Sequence, residues 1–245
     1  MPIEFQDHVK FTKSSIKKHE AITVVGKKGT GKSVLFDILL EHLSKKTLII
    51  LIDTKREYKH VPFMDLTHLR YKINRKSGKR QYAFDKGIFK VTSGFEIQGE
   101  TFDDLFRITE WLSYVLFDRE NCILAVEELG NCTKKYSRFY DCNPYLATLV
   151  QQGRGKNVGF LGTTQRLQEI HTTILSESDH ILCFRLTSEA DESYMKNYIH
   201  PDHIKALEKH EFLHLNLKDD YLRHCHKLYL NPQKLKYYTR TFGKT

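Results

Sequence analysis

The chain lacks any long apolar run. No run is longer than that of Leu48–Ile52, which holds 5 residues, far too few to cross a bilayer. The first twenty residues are polar and basic, with Lys10, Lys13, Lys17 and Lys18, and contain no apolar stretch of the kind a secretion signal needs. The 5 cysteines form no C-x-x-C pair. Cys122, Cys132 and Cys142 are evenly spaced, but their flanks offer no zinc-ligand pairing. His224-Cys225-His226 lies in a strand-like run, where neighbours point to opposite faces. A cysteine-based metal centre is therefore not expected, and free thiols fit a reducing cytoplasm. Internal repeats and low-complexity segments are absent. Acids are scarce in two places. Segment 70–90 has only Asp85 against Arg70, Lys72, Arg75, Lys76, Lys79, Arg80, Lys86 and Lys90, and no acid follows Asp220.

What is present is a chain of 245 residues, the size of one large domain or of one domain with small additions. Its net charge of +9 implies a polyanionic partner, nucleic acid first among them.

The organising stretch is 21–33, AITVVGKKGTGKS. Residues 21–25 read as a short buried strand that ends at Gly26. Then follows G-x-x-x-x-G-K-S, with Gly26, Lys27, Lys28, Gly29, Thr30, Gly31, Lys32, Ser33 and Val34 as the nucleotide-binding residues. Glycines let successive backbone N–H groups curl round a phosphate, Lys32 adds a point charge at the β- and γ-phosphates, and the Ser33 hydroxyl is a hard oxygen ligand for Mg²⁺. Residues 33–44 continue as a helix whose positive end faces the phosphates. ATP and Mg²⁺ are the expected cofactors.

Further along, 47–53 reads as an apolar strand ending in Asp53 and running into DTKREY, where Lys55, Arg56 and Glu57 also fit a solvated loop. Segments 71–74 and 81–84, with Ser77-Gly78 between them, read as a hairpin. Its cations, Arg75, Lys76, Lys79 and Arg80, interleaved with Tyr71, Tyr82 and Phe84, suit a backbone-tracking nucleic-acid contact; a solvated surface hairpin is the alternative. A helix is expected from Thr101, with Asp103 and Asp104 in its first turn. Residues 121–128 form a buried strand ending in Glu127 and Glu128. Segment 131–143, with Lys134, Lys135 and Arg138, reads as a loop, and Asn143-Pro144 as the start of the next helix. Strands follow at 158–164, ending at Gln165-Arg166, and at 181–186. Ser188 opens a helix through Ile199. Residues 211–217 and 221–230 read as a closing hairpin, and 237–242 as a basic-aromatic arm or frayed tail.

Paired acids at a strand end are the usual partner of a phosphate loop. One holds the metal's water shell, here Glu127 with Ser33, and the next polarises the attacking water, here Glu128. Gln165 is placed to orient that water. Neighbouring acids can exchange these roles, so the register between Glu127 and Glu128 stays open.

Taken in order, GKKGTGKS, LIDTKREY, ILAVEELG, QQGRGKNVGFLGTTQR and ILCFRL resemble the HerA/FtsK superfamily of P-loop DNA-pumping ATPases over residues 21–186. The most specific pieces are D-x-K-x-E-Y and the pairing of G-R-x-x-x-G with T-Q-R. The family usually has Asp-Glu where this chain has Glu127-Glu128. The resemblance implies a RecA-like α/β fold, a doubly wound, mainly parallel sheet of core order 5-1-4-3-2, here with a basic hairpin at 70–90 and a C-terminal β-hairpin. Residues 1–20 would be an arm or cap, 21–217 the ATPase core, and 218–245 a basic hairpin strand and tail. It also implies a catalytic set of Lys32, Glu128 and Gln165, with Arg154 or Arg185 reaching a neighbouring subunit's nucleotide. The implied function is ATP-driven translocation of double-stranded DNA by a homo-oligomeric ring, a hexamer by family analogy. The small size resembles viral genome-packaging ATPases. Capsid or portal-vertex proteins and peripheral membrane contact then enter as partners, and host cytoplasm or the packaging vertex as location. A cellular plasmid or chromosome translocase, a virion assembly or secretion motor that pumps no DNA, and a small-molecule phosphotransferase are the rival readings.

Overall fold

The computed structural model describes residues 4–97, 100–133, 143–186 and 188–225. The strands are β1 (Glu4–Val9), β2 (Ala21–Val25), β3 (Leu48–Ile52), β4 (Tyr71–Ile73), β5 (Arg80–Tyr82), β6 (Gly87–Val91), β7 (Phe95–Ile97), β8 (Glu100–Phe102), β9 (Cys122–Val126), β10 (Val158–Thr164), β11 (His180–Phe184), β12 (Phe212–Asn216) and β13 (Tyr221–Cys225). The helices are α1 (Lys32–Ser44), α2 (Leu105–Arg119), α3 (Pro144–Gln152), α4 (Thr172–Ser176), α5 (Glu189–Met195) and α6 (Pro201–Ala206).

Nine strands form one sheet in the order β1-β13-β12-β11-β2-β10-β9-β3-β6. Its centre, β11-β2-β10-β9-β3, is parallel throughout. Numbered along the chain, these five strands run 5-1-4-3-2, the expected RecA-like order. Every residue of β2, β3, β9, β10 and β11 is buried. That is why these strands are mainly apolar rather than alternating: both faces of the sheet are covered. One face packs on Leu35, Phe36, Leu39 and Leu43 of α1. The other packs on Ile108, Leu112 and Leu116 of α2 and Leu146, Leu149 and Val150 of α3.

The edges depart from the sequence reading. Residues 4–9 pair in parallel with β13, an edge strand where an arm or cap was expected. Gly87–Val91, read as part of the basic insertion, is a sheet strand beside β3. Its Lys90 is buried and lies 3.6 Å from Asp53. Thr101 belongs to β8, and α2 starts after Asp104, whose carboxylate accepts from Phe106 N–H at 2.9 Å. Pro144 takes the first helical position of α3 as expected, but Asn143 supplies no side-chain cap. Instead Glu110 of α2 accepts from the backbone N–H of Tyr145 at 3.0 Å and of Leu146 at 3.3 Å. The β4–β5 hairpin and the antiparallel β12–β13 hairpin are both present. Lys134, Lys135, Arg138, Cys142, His226 and the basic-aromatic tail 226–245 lie outside the described residues.

Candidate active site

Parallel pairing in register brings five strand ends to one edge. Ile52 pairs with Val126, Val126 with Gly162, Thr164 with Val25, and Cys183 with Val25. Asp53, Glu127, Gln165, Gly26 and Arg185 therefore follow these ends along the carboxyl edge of the sheet, where α/β sheets bind ligands.

The loop after β2 begins at Gly26, with φ +148°. A Cβ there would lie 2.5 Å from Cβ of Phe184, so only glycine lets β2 and β11 pair to their ends. Gly26 N–H donates to Thr164 O at 3.3 Å and Lys27 N–H to Arg185 O at 2.9 Å, which ties the loop to both flanking strands. Gly31, at φ +109°, is the N-cap of α1. Lys32 is buried and its Nζ donates to Lys27 O at 3.0 Å, folded back along the loop. The N-terminal turn of α1 carries no acid. A cavity of about 440 Å³ opens beside the loop, lined by Lys27, Lys28, Gly29, Thr30, Arg185 and Lys209. Its walls carry four cations and no carboxylate, the chemistry of a polyphosphate site. The glycine-bearing turn, the helix end behind it and this charge fit a nucleotide triphosphate.

Glu127 and Glu128 follow β9, both buried. Glu127 Oε2 accepts from Thr54 Oγ1 at 3.2 Å and from Lys55 N–H at 3.3 Å, while Lys55 Nζ lies 3.2 Å from Oε1. Burial pushes the Glu127 carboxyl above the ordinary range, and the Lys55 charge opposes that shift. Glu128 accepts from Gln165 twice, from the backbone N–H at 3.2 Å and from Nε2 at 3.0 Å. The expected base and the expected water-orienting amide are thus hydrogen-bonded neighbours. A hydroxyl, Ser33, and a carboxylate, Glu127, offer hard oxygen donors at this edge, a set that suits Mg²⁺.

The DTKREY loop is built, not merely solvated. Asp53, fully buried, accepts from Glu57 N–H at 2.9 Å and Tyr58 N–H at 3.0 Å. The Tyr58 hydroxyl donates to Asp37 of α1 at 2.6 Å. Asp53 is thereby committed to its own loop, and Lys55 is left to face the paired acids.

The two candidate arginines sit apart. Arg185 lies on the carboxyl edge beside the loop of its own chain. Arg154 precedes β10 at the opposite edge, with Nη1 3.4 Å from Asp179, whose other oxygen accepts from Ala21 N–H at 2.8 Å. The 5-residue β2 separates it from its own loop by about 17 Å of strand. Of the hairpin cations, Arg75, Lys76 and Lys79 are exposed. Arg80 instead packs over the Tyr71 ring, 4.4 Å from its centre, and pairs with Asp118 of α2. No sequence pattern points to Lys209 or His210. His210 Nδ1 lies 3.2 Å from Thr30 O, across 180 positions, and no local signal marks it. Among the described residues no cluster of His, Cys, Asp or Glu is arranged to hold a metal by itself.

No protein-family model matches the chain, and no curated protein matches it. Solved structures do. The genome packaging NTPase B204 of Sulfolobus turreted icosahedral virus 2, in complex with AMP, superposes with a TM-score of 0.64 at 16% identity, covering 87% of this chain and 100% of that one. VirB4 of Thermoanaerobacter pseudethanolicus gives 0.62 at 13% identity, covering 89% and 91%. The pCW3 conjugation coupling protein TcpA gives 0.58 at 15%, covering 88% of this chain and 62% of that one. The likeness is one of fold, and it is the fold of P-loop ATPases that the HerA/FtsK resemblance implied.

Proposed function

We propose that this protein is an ATP-hydrolysing motor that moves double-stranded DNA as a homo-oligomeric ring, with viral genome packaging as its setting. The observation that carries the reading is the row on the carboxyl edge: the phosphate loop with Lys32, then Gln165 hydrogen-bonded to Glu128, then Glu127. A phosphotransferase acting on a small molecule has no need of a carboxylate–amide pair beside the loop; a hydrolase that must activate water does.

Lys32 and the backbone N–H groups of 27–34 would hold the triphosphate, and Ser33 and Glu127 the Mg²⁺, which when bound neutralises charge developing on the phosphates. Glu128 takes the proton of the attacking water, with Gln165 fixing the carboxylate's orientation. Arg185 serves the nucleotide of its own chain. Arg154, at the far edge from its own loop, would reach a neighbouring copy's nucleotide, the role the resemblance implies and the reason for proposing a ring; the alternative is an ordinary surface ion pair with Asp179. The exposed cations of the β4–β5 hairpin would track the phosphate backbone without reading sequence. Capsid or portal-vertex proteins would dock the ring, in host cytoplasm or at the packaging vertex.

A second reading, a virion assembly or secretion motor that pumps no DNA, is compatible with the same P-loop fold. One measurement separates the two: the ATPase rate with and without duplex DNA, alongside the mass of the assembly with nucleotide. DNA stimulation of a ring supports the packaging reading. A ring active but indifferent to DNA supports the secretion motor, and absence of ATPase activity overturns both.

A further inference from the structure

Lys55 comes from the D-x-K-x-E-Y stretch, whose purpose the reaction leaves open. Its backbone is fixed, because Asp53 grips the N–H groups of Glu57 and Tyr58 and the Tyr58 hydroxyl is anchored on Asp37. Its side chain is 36% exposed, so solvent reaches the ammonium, while those of Glu127 and Glu128 are 3% and 11% exposed. The ammonium lies 3.2 Å from Glu127 Oε1 and 3.7 Å from Glu128 Oε2, so one cation addresses both acids. The third acid of this edge, Asp53, has its own cation in Lys90 at 3.6 Å. Two adjacent carboxylates buried side by side repel, and each has lost water; a positive charge between them offsets both costs. A divalent cation does the same, more strongly, and prefers the same oxygens.

We propose that Lys55 is a positioning residue that holds Glu127 and Glu128 together before the metal arrives, and that divalent-cation binding displaces its ammonium. A compact ammonium on a flexible stem suits an exchangeable counter-ion; the planar fork of arginine, locked to two oxygens at once, does not. The proposal rests on Glu127 as the metal residue of the nucleotide site.

The test uses the full chain and Lys55→Met, with Lys55→Arg as the charge-conserving variant. Thermal unfolding in EDTA without nucleotide should show Lys55→Met melting about 3–8 °C below wild type, and Lys55→Arg close to it. Adding Mn²⁺ and ADP should then raise the Lys55→Met midpoint more than the wild-type one. Titration of free Mn²⁺ by electron paramagnetic resonance at saturating ADP should give a half-point at least about threefold lower in Lys55→Met, because no ammonium has to leave. Equal melting in EDTA overturns the holding role, and equal Mn²⁺ half-points overturn the exchange. If neither wild type nor variant binds Mn²⁺–ADP, the nucleotide-site reading fails, while the melting comparison in EDTA still decides whether Lys55 holds the acids.

Discussion

At the scale of single residues, the site is a set of charges whose partners are visible. Glu128 is gripped by Gln165 through both backbone and side chain. Glu128→Gln keeps the size but cannot accept a proton, so ATP should bind and persist, with turnover down roughly 10²–10⁴-fold in a single-turnover assay. Glu127→Gln should instead raise the Mg²⁺ concentration needed for half-maximal rate. Swapped phenotypes would make Glu127 the base. Lys32→Ala should abolish hydrolysis, and wild-type turnover in that variant would remove the phosphate loop from the mechanism. The Gly26 position tests the loop's fit to the sheet. A methyl group there would meet Phe184 Cβ at 2.5 Å, in a backbone conformation that side chains disfavour. Gly26→Ala should cost about 2–4 kcal/mol in chemical denaturation and weaken nucleotide binding with it.

At the scale of elements, the β4–β5 hairpin divides its cations into two kinds. Arg75, Lys76 and Lys79 are exposed in its turn, whereas Arg80, the strand residue next to that turn, fastens the hairpin to α2 through Asp118. Replacing Arg75, Lys76 and Lys79 together with Gln should weaken duplex DNA binding uniformly across sequences. The slope of log affinity against log salt should fall by about 2–3, since each lost phosphate contact releases one fewer counter-ion. An unchanged slope would place the DNA contact on another basic surface. Arg80→Gln should act through hairpin attachment and lower the melting temperature of the free protein.

At the scale of the whole molecule, one property that follows from the sheet is acid sensitivity. Glu20, His180 and His214 form a buried chain at the amino edge, with His180 Nε2 donating to Glu20 at 2.9 Å and sharing a 3.0 Å hydrogen bond with His214 on its other side. Burial opposes the Glu20 charge, but the hydrogen bonds from His180 and Lys17 N–H and the nearby positive charges outweigh it, holding the group down at about 2. Burial and the neighbouring His180 and Arg223 pull His214 from 6.5 to about 3. Both values lie below those of the unfolded chain, so the unfolded state binds more protons in acid. The stability each confers is complete above its unfolded value, 6.5 for His214 and 4.5 for Glu20, and is lost as pH falls toward about 3 and about 2. The melting temperature should decline from pH 6.5 downward, and His214→Gln should flatten the decline between pH 6.5 and 4.5. The proposed ring adds a second expectation, a site shared between subunits. Arg154→Ala should bind ATP yet fail to hydrolyse it, and adding Lys32→Ala subunits, which keep Arg154, should restore part of the activity in mixed rings. Arg185→Ala, on the loop's own edge, should not be rescued this way. Activity that survives dilution to a proven monomer would rule out the shared site.

The sequence by itself determined the central strands and the phosphate loop. Short apolar runs buried on both faces, a glycine turn and a following helix are local patterns, and the physics that reads them acts over a few residues. It also placed Glu127, Glu128 and Gln165 at strand ends, because each acid or amide directly follows an apolar strand. What only the tertiary structure decided depends on groups far apart in the chain. Lys90 reads as one more cation in a basic stretch, yet it is buried against Asp53 because β6 adds to the sheet beside β3. Residues 4–9 read as an arm until β13, more than two hundred positions later, offers them an edge. Glu110, not Asn143, caps α3, since capping needs only an oxygen in the right place and α2 supplies it across the helix contact. Arg154 and Arg185 look equivalent in the chain. The parallel register, which sends every strand the same way, puts one at each edge of the sheet. Lys55 reads equally well as a solvated loop residue, and its meeting with both acids follows from β3 lying beside β9, a pairing that long-range packing sets and no local pattern encodes.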